Sequence, residues 1–367
     1  MQRWISVDSG KFRTKVAEYN TVRKNARSCH FRTKIGPGDF RDDSLEKNTI
    51  IVEIDGATYK IGNGALGKEA ELETTKQTDI HKIATLAAIA VMCSQNETDE
   101  VSVAIGLPAM NWADVGEREN YKQYMLEDKE YCIKIKKSSD SPIVEKKFKI
   151  KNKYAFPESI GALFADDAPE ITEDTMVGVL DIGNLNINAT VWQNVELQKE
   201  DSFTGEQGGK LLIQSLSQEL YQKLGIRCNE KVVGAAIYGK EPGDRYLIPS
   251  GTMSEEQRQH IKETSNQIIN ESMYNFVREI KAMLDAQKWA IEFMPIIVIG
   301  GTGKVLEHEL KKVFGDIYVI KNACDVNAMG FLNMMCAKKA ELGIDIFAED
   351  EAEEIEAASG TNELPTT

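Results

Sequence analysis

Two stretches decide the fold: Trp4-Ile5-Ser6-Val7-Asp8-Ser9-Gly10 and Val177-Gly178-Val179-Leu180-Asp181-Ile182-Gly183. Each is a short apolar run that stops abruptly at Asp-x-Gly, as a buried strand does when it delivers a loop to a ligand. One lies near the start of each half of the chain, so a duplicated α/β domain with a ligand held between its halves is the simplest account. Three further runs have the same character. Val101-Ser102-Val103-Ala104-Ile105 ends at Gly106-Leu107-Pro108, Ile296-Ile297-Val298-Ile299 ends at Gly300-Gly301-Thr302-Gly303, and Ile317 to Ile320 forms the last.

Helical patterns separate these strands. Ile80, Ile83, Ala84, Ala87, Ala90 and Val91 recur near period 3.6 between Thr78 and Cys93. Ser254 and Gln257 stand three apart, as a capping box requires, before a run that places Ile261, Ile268, Met273, Phe276, Ile280 and Leu284 on one face. Asp325 precedes a last helix with Met329, Leu332 and Cys336 inward. Strands alternating with helices give an α/β class.

With 367 residues, 42% of them hydrophobic, the chain has material for about two domains and a sizeable core. Its net charge of -14 argues against gripping nucleic acid or anionic lipid directly. No run reaches the ~20 apolar residues of a membrane span. The six cysteines form no C-x-x-C pair and the four histidines no H-x-x-x-H pair; reduced thiols in a cytoplasmic protein are the expectation. Residues 30–75 and 120–153 read as peripheral insertions. In the second, Tyr131 to Lys136 alternates as a half-exposed strand with a basic outer face, either solvated or a contact surface for an acidic partner or a neighbouring subunit. From Glu349 the chain is acidic and then rich in small polar residues, with too little apolar surface to fold.

Glycine turns at strand ends suit phosphate, because backbone N–H groups converge there. Asp8-Ser9-Gly10-Lys11 followed by Lys15 offers such donors with two ammonium groups, and an aspartate at the strand end suits Mg²⁺ held through water. Asp181 offers the same from the second half. Gly300-Gly301-Thr302-Gly303-Lys304 fails the Walker A pattern at Val305 and the dinucleotide fingerprint at Leu306. What remains is a glycine strand end before a helix start, where a nucleotide could approach the backbone. Pro157-Glu158-Ser159 sets a carboxylate before a small-residue helix at Ile160 to Leu163.

The order D-x-G, G-L-P, P-E-S, D-I-G-N, G-G-T-G resembles the actin-like ATPase superfamily, and within it the plasmid-segregation proteins of ParM type. The resemblance implies a duplicated RNase H-like fold with two lobes around a central nucleotide cleft. Lobe I would be 1–165 with an insertion at about 30–75, and lobe II 166–323 with a helical insertion at about 205–293 and an adenosine segment at 296–306. A C-terminal helix at 324–345 would return to lobe I, ahead of an acidic disordered tail at 346–367. Nucleotide would be held by Ser9, Gly10, Lys11, Lys15, Gly183, Asn184, Leu185, Asn186, Gly208, Gly209, Gly300, Gly301, Thr302 and Gly303. Glu158 and Asp181 would be catalytic, and Asp8 and Asp181 would hold Mg²⁺ through water. Asn186 replaces a hydroxyl of the family pattern, and Asn188 stands where many relatives carry an aspartate.

The function so implied is an ATPase, with GTP as the alternative nucleotide, whose filaments segregate plasmid DNA through a ParR-type adaptor. The partners are then the chain itself and the adaptor, with no direct nucleic acid and no membrane. A superfamily small-molecule kinase would need a general-base aspartate in another context than Pro157-Glu158-Ser159. An Hsp70-type chaperone would need a further substrate-binding domain. A non-hydrolysing scaffold would lack the carboxylates that Asp8, Glu158 and Asp181 supply.

Overall fold

A computed structural model of the chain describes residues 2–20, 25–70, 73, 75–95, 97–165, 167–172, 174–249 and 251–341. Among the described residues the chain divides into two units, one within 2–107, 114–158 and 327–341, the other within 108–113 and 159–326. The acidic tail expected from residue 346 lies outside the described residues.

In the first unit, the strands are β1 (Gln2–Ser9), β2 (Arg13–Asn20), β3 (Asn25–Arg32), β4 (Lys34–Pro37), β5 (Thr49–Ile54), β6 (Ala57–Gly62), β7 (Lys68–Glu69), β8 (Thr98–Leu107), β9 (Glu130–Lys136) and β10 (Val144–Pro157). Among the described residues they form one ten-stranded sheet, in the order β3-β2-β1-β8-β10-β9-β5-β6-β4-β7. β1 and β10 both run parallel to β8, so Asp8, Leu107 and Glu158 fall at the same, carboxyl, end of three neighbouring strands. Helix α1 (Asp79–Met92) packs on β1 and β2. Its buried Ala84, Ala87, Ala88 and Ala90 let the helix lie close to the sheet.

Residues 120–153 are not peripheral. β10 lies inside the sheet, paired to β8 on one side and β9 on the other, and β9 joins β5 and the strands of 30–75 to it. In β9, Tyr131, Ile133 and Ile135 are buried while Cys132 and Lys134 face out. The outer face is not a basic one, because each lysine meets a carboxylate: Lys134 pairs with Glu53, Lys147 with Glu145, Lys149 with Glu130 and Lys151 with Glu100. Exposed pairs of this kind contribute about 0–1 kcal/mol each, so their effect is charge neutrality more than stability.

In the second unit, β11 (Val177–Ile182), β12 (Ile187–Gln193), β13 (Glu196–Gly205), β14 (Ile296–Ile299) and β15 (Tyr318–Val319) form a five-stranded sheet in the order β13-β12-β11-β14-β15. β11 and β14 are parallel, so Asp181 and Gly300 stand at one end of adjacent strands. The short helices α2 (Ala109–Trp112) and α3 (Val115–Met125) follow β8, α2 with this unit and α3 with the first. Helices α4 (Gly209–Leu224), α5 (Glu230–Ile237) and α6 (Glu255–Ala286) lie between β13 and β14. α6 begins with the expected capping box of Ser254 and Gln257, and buries Ile269, Met273 and Ile280 with Leu180, Val191 and Leu216 in one core. The helix expected at 160–163 is a short 3-10 helix, Ile160–Phe164, preceded by Ser159 in a left-handed conformation with φ of 76°. Helices α7 (Gly301–Val305) and α8 (Glu307–Phe314) follow β14, and α9 (Val326–Glu341) ends the described chain. Among the described residues, no helix is long and apolar enough to cross a membrane.

Candidate functional site

The β1–β2 turn is built from its own hydrogen bonds. Gly10 N–H donates to the carbonyls of Asp8 and Arg13, both at 3.0 Å. A Cβ on Gly10 would lie 2.8 Å from the Arg13 carbonyl, so the turn requires glycine. Thr33 braces it from behind, its hydroxyl donating to the Gly10 carbonyl at 2.6 Å and meeting the Thr14 hydroxyl at 2.9 Å. The antiparallel register sets Lys15 opposite Asp8, and the ammonium donates to Asp8 Oδ2 at 2.8 Å.

Glu158 reaches the same strand ends from β10. Its N–H donates to the Leu107 carbonyl at 2.8 Å, which joins Gly106-Leu107-Pro108 to Pro157-Glu158-Ser159. Its carboxylate accepts from the ammonium of Lys76, which also lies 3.5 Å from Asp8 Oδ1. All three side chains are buried. Burial would raise the Asp8 carboxyl, but Lys15 and Lys76 outweigh it and hold that group below its ordinary range. Burial would likewise lower Lys76; Glu158 and Asp8 outweigh it and raise the ammonium. Lys11 is lowered, by burial first and then by the charge on Lys76. Three lysines thus stand against two carboxylates, Asp8 and Glu158. The excess of positive charge suits a phosphate.

His81 lies beside this group, fully buried, with Nδ1 2.9 Å from the Thr78 hydroxyl and Nε2 without a hydrogen-bond partner among the described residues. Burial, then the charges of Lys76 and Lys11, push its imidazolium down to about 3. The unfolded chain takes up that proton near pH 6.5 and the folded chain does not, so stability is full above pH 6.5 and falls on acidification toward pH 3. The slope from this group is up to about 1.4 kcal/mol per pH unit. In urea titrations between pH 6.5 and 4.5, the stability of the wild type should therefore fall more steeply than that of His81→Gln. Parallel curves would show that the ring is not held neutral.

In the second unit, Gly183 N–H donates to the Asn186 carbonyl at 2.9 Å and closes the β11–β12 turn. Two helix starts abut this turn. Gly209 and Lys210 N–H groups donate to the carbonyls of Gly183 and Asn184 at 3.0 and 2.7 Å, and the Thr302 hydroxyl donates to the Gly183 carbonyl at 2.8 Å. A Cβ on Gly208 would lie 2.3 Å from the Leu185 backbone, and one on Gly209 2.4 Å from Thr302 Oγ1. Gly300 has φ of +88°, and its Cβ would meet the Ile182 carbonyl at 2.4 Å. Gly183 to Asn186, Gly208-Gly209 and Gly300 to Gly303 therefore belong to one cluster beside Asp181. The Asn186 amide donates to Asn188 Oδ1 at 3.3 Å, and the Thr204 hydroxyl donates to the same atom at 3.1 Å.

Residues 6–161 match the family model for the N-terminal domain of actin-like proteins. Solved structures agree over the rest of the chain. The Alp12 filament structure is 21% identical, covers 92% of this chain and 99% of its own, and has a TM-score of 0.65. The fold is actin-like. A 15-stranded ParM filament from Clostridium botulinum is 17% identical with 91% and 98% coverage and a TM-score of 0.65. An archaeal actin homologue, Ta0583, is 14% identical with 91% and 99% coverage and a TM-score of 0.67. No curated protein matches the chain in sequence.

Within this actin-like chain, the first unit gathers Asp8, Ser9, Gly10, Lys11, Lys15 and Glu158, and the second gathers the remaining expected site residues. Sequence reading missed Lys76, Thr33 and His81, which reach the strand ends from other parts of the chain. Among the described residues, no group of three or more His, Cys, Asp or Glu side chains could hold a metal. Asp181 is partly exposed at the end of β11.

Proposed function

We propose that this chain is a nucleotide-dependent, filament-forming ATPase of ParM type that segregates plasmid DNA through a ParR-type DNA-binding adaptor. The observation that carries the reading is the same device built twice: a strand that ends in Asp-x-Gly beside a parallel neighbour, and a turn closed by the N–H of its glycine, Gly10 to the Arg13 carbonyl and Gly183 to the Asn186 carbonyl. Such turns present backbone N–H groups to phosphate. ATP with Mg²⁺ is the proposed ligand, with GTP as the alternative. When bound, Mg²⁺ would neutralise charge on the phosphates; Lys11 and Lys15 would do the same from the protein, and Glu158 and Asp181 would orient attacking water. The net charge of -14 fits contact with DNA through an adaptor. Self-assembly is proposed because two of the structures of similar fold are filaments of their own proteins, and a repeated head-to-tail contact that does not close gives a filament.

The test is sedimentation and light scattering. The chain should stay in the supernatant alone and pellet after Mg²⁺ with ATP or GTP is added. Filaments should shrink as nucleotide is consumed and persist with a non-hydrolysable analogue. Monomers alone by electron microscopy, across nucleotides and salt, would replace this reading with a non-polymerising scaffold.

A further inference from the structure

Asp8 and Glu158 end strands that are not neighbours: β8 lies between β1 and β10. The sheet register therefore sets the two backbones but not the two carboxylates. Lys76 does that. It arrives from the segment before α1, outside the sheet, and its ammonium donates to Glu158 Oε1 while lying 3.5 Å from Asp8 Oδ1. The other Asp8 oxygen accepts from Lys15 at 2.8 Å, so both oxygens of Asp8 face a protein cation. A buried ion pair adds little net stability compared with apolar residues of similar volume. Its place at the ends of the strands that carry the first phosphate turn points instead to the site.

We infer that Lys76 is a positioning residue, a built-in cation that fixes Glu158 against Asp8 and occupies the place a divalent metal would otherwise take between them. This rests on the nucleotide-hydrolysing reading above and adds a requirement to it. The metal of the reaction does not bind between this carboxylate pair, which leaves Asp181 to hold it in place of the Asp8 and Asp181 set expected from the sequence, and Glu158 works only with Lys76 in place.

Two measurements test it, on Lys76→Met and on Lys76→Gln, the latter keeping a hydrogen-bond donor should the former fail to fold. In steady-state hydrolysis, kcat should fall about tenfold or more while KM stays within about threefold, the pattern of a lost positioning contact rather than lost binding. In the absence of nucleotide, Mn²⁺ titrated into the protein and followed by electron paramagnetic resonance should show one saturable site in the folded variant. Wild type and Lys76→Met/Glu158→Gln should show none, because a cation or an amide then breaks the pair of carboxylates. An unchanged kcat, or a folded variant that gains no Mn²⁺ site, overturns the inference. A wild type that hydrolyses no nucleotide overturns the underlying reading instead, and the Mn²⁺ measurement still decides the role of Lys76.

Discussion

Nucleotide hydrolysis should slow by about 10²-fold or more in Glu158→Gln and in Asp181→Asn, with nucleotide still bound. Both substitutions keep size and hydrogen-bonding capacity while removing the negative charge that would orient and activate water in the proposed reaction. The backbone supports of each carboxylate are untouched: Glu158 N–H still reaches the Leu107 carbonyl, and β11 still pairs with β12 and β14. Truncation to alanine would be a poorer test at Glu158. It strips Lys76 of one of two partners and leaves an ammonium buried with less compensation, a loss that costs about 3–5 kcal/mol where a buried pair is broken outright. Filaments of either variant, once formed, should outlast those of the wild type, because turnover and disassembly are coupled in the proposed cycle. Phosphate release near the wild-type rate from both variants would remove these residues from the hydrolytic step.

The strand ends were legible because burial on both faces leaves an uninterrupted apolar run, and a run that stops at Asp-x-Gly marks its own end. Asp8, Asp181 and Gly300 were found in that way. The middle of the first unit was not. Lysines alternating with apolar residues in β10 have the pattern of a strand exposed on one face, and that pattern does not tell an edge strand from an inner one. β10 is an inner strand because its backbone pairs with β8 on one side and β9 on the other, strands whose partners lie far apart in sequence. Lys76 was invisible for a related reason. A lone lysine in the polar stretch Thr74-Thr75-Lys76-Gln77-Thr78 has the composition of a loop, and only the tertiary fold buries it between Asp8 and Glu158. His81 falls inside the helical pattern between Thr78 and Cys93, and an Nε2 without a hydrogen-bond partner among the described residues is a property of the packed unit rather than of any local pattern.

The glycines of the turn after β14 separate packing from ligand approach, and Gly301→Ala should lower nucleotide affinity about tenfold or more while folding stays within about 0.5 kcal/mol of wild type. Gly300 cannot make that distinction. Its φ is +88° and a Cβ there would stand 2.4 Å from the Ile182 carbonyl, so any side chain strains the end of β11 itself. Gly303 is constrained by packing, since a Cβ would lie 2.7 Å from Val298 Cγ1. Gly301 is exposed, and its Cβ would meet nothing nearer than Cys324 Sγ at 3.5 Å, an ordinary contact. Within the first turn of α7, alanine is if anything the better residue for the backbone. Packing thus gives no reason for glycine at 301, and close approach of a nucleotide to the main chain gives one. Calorimetric titration of ATP or GTP into Gly301→Ala, alongside its urea midpoint, reads the two effects apart. Unchanged affinity with unchanged stability would place the nucleotide away from this turn and leave Gly208-Gly209 and the Gly183 to Asn186 turn as the phosphate-facing part of the second unit.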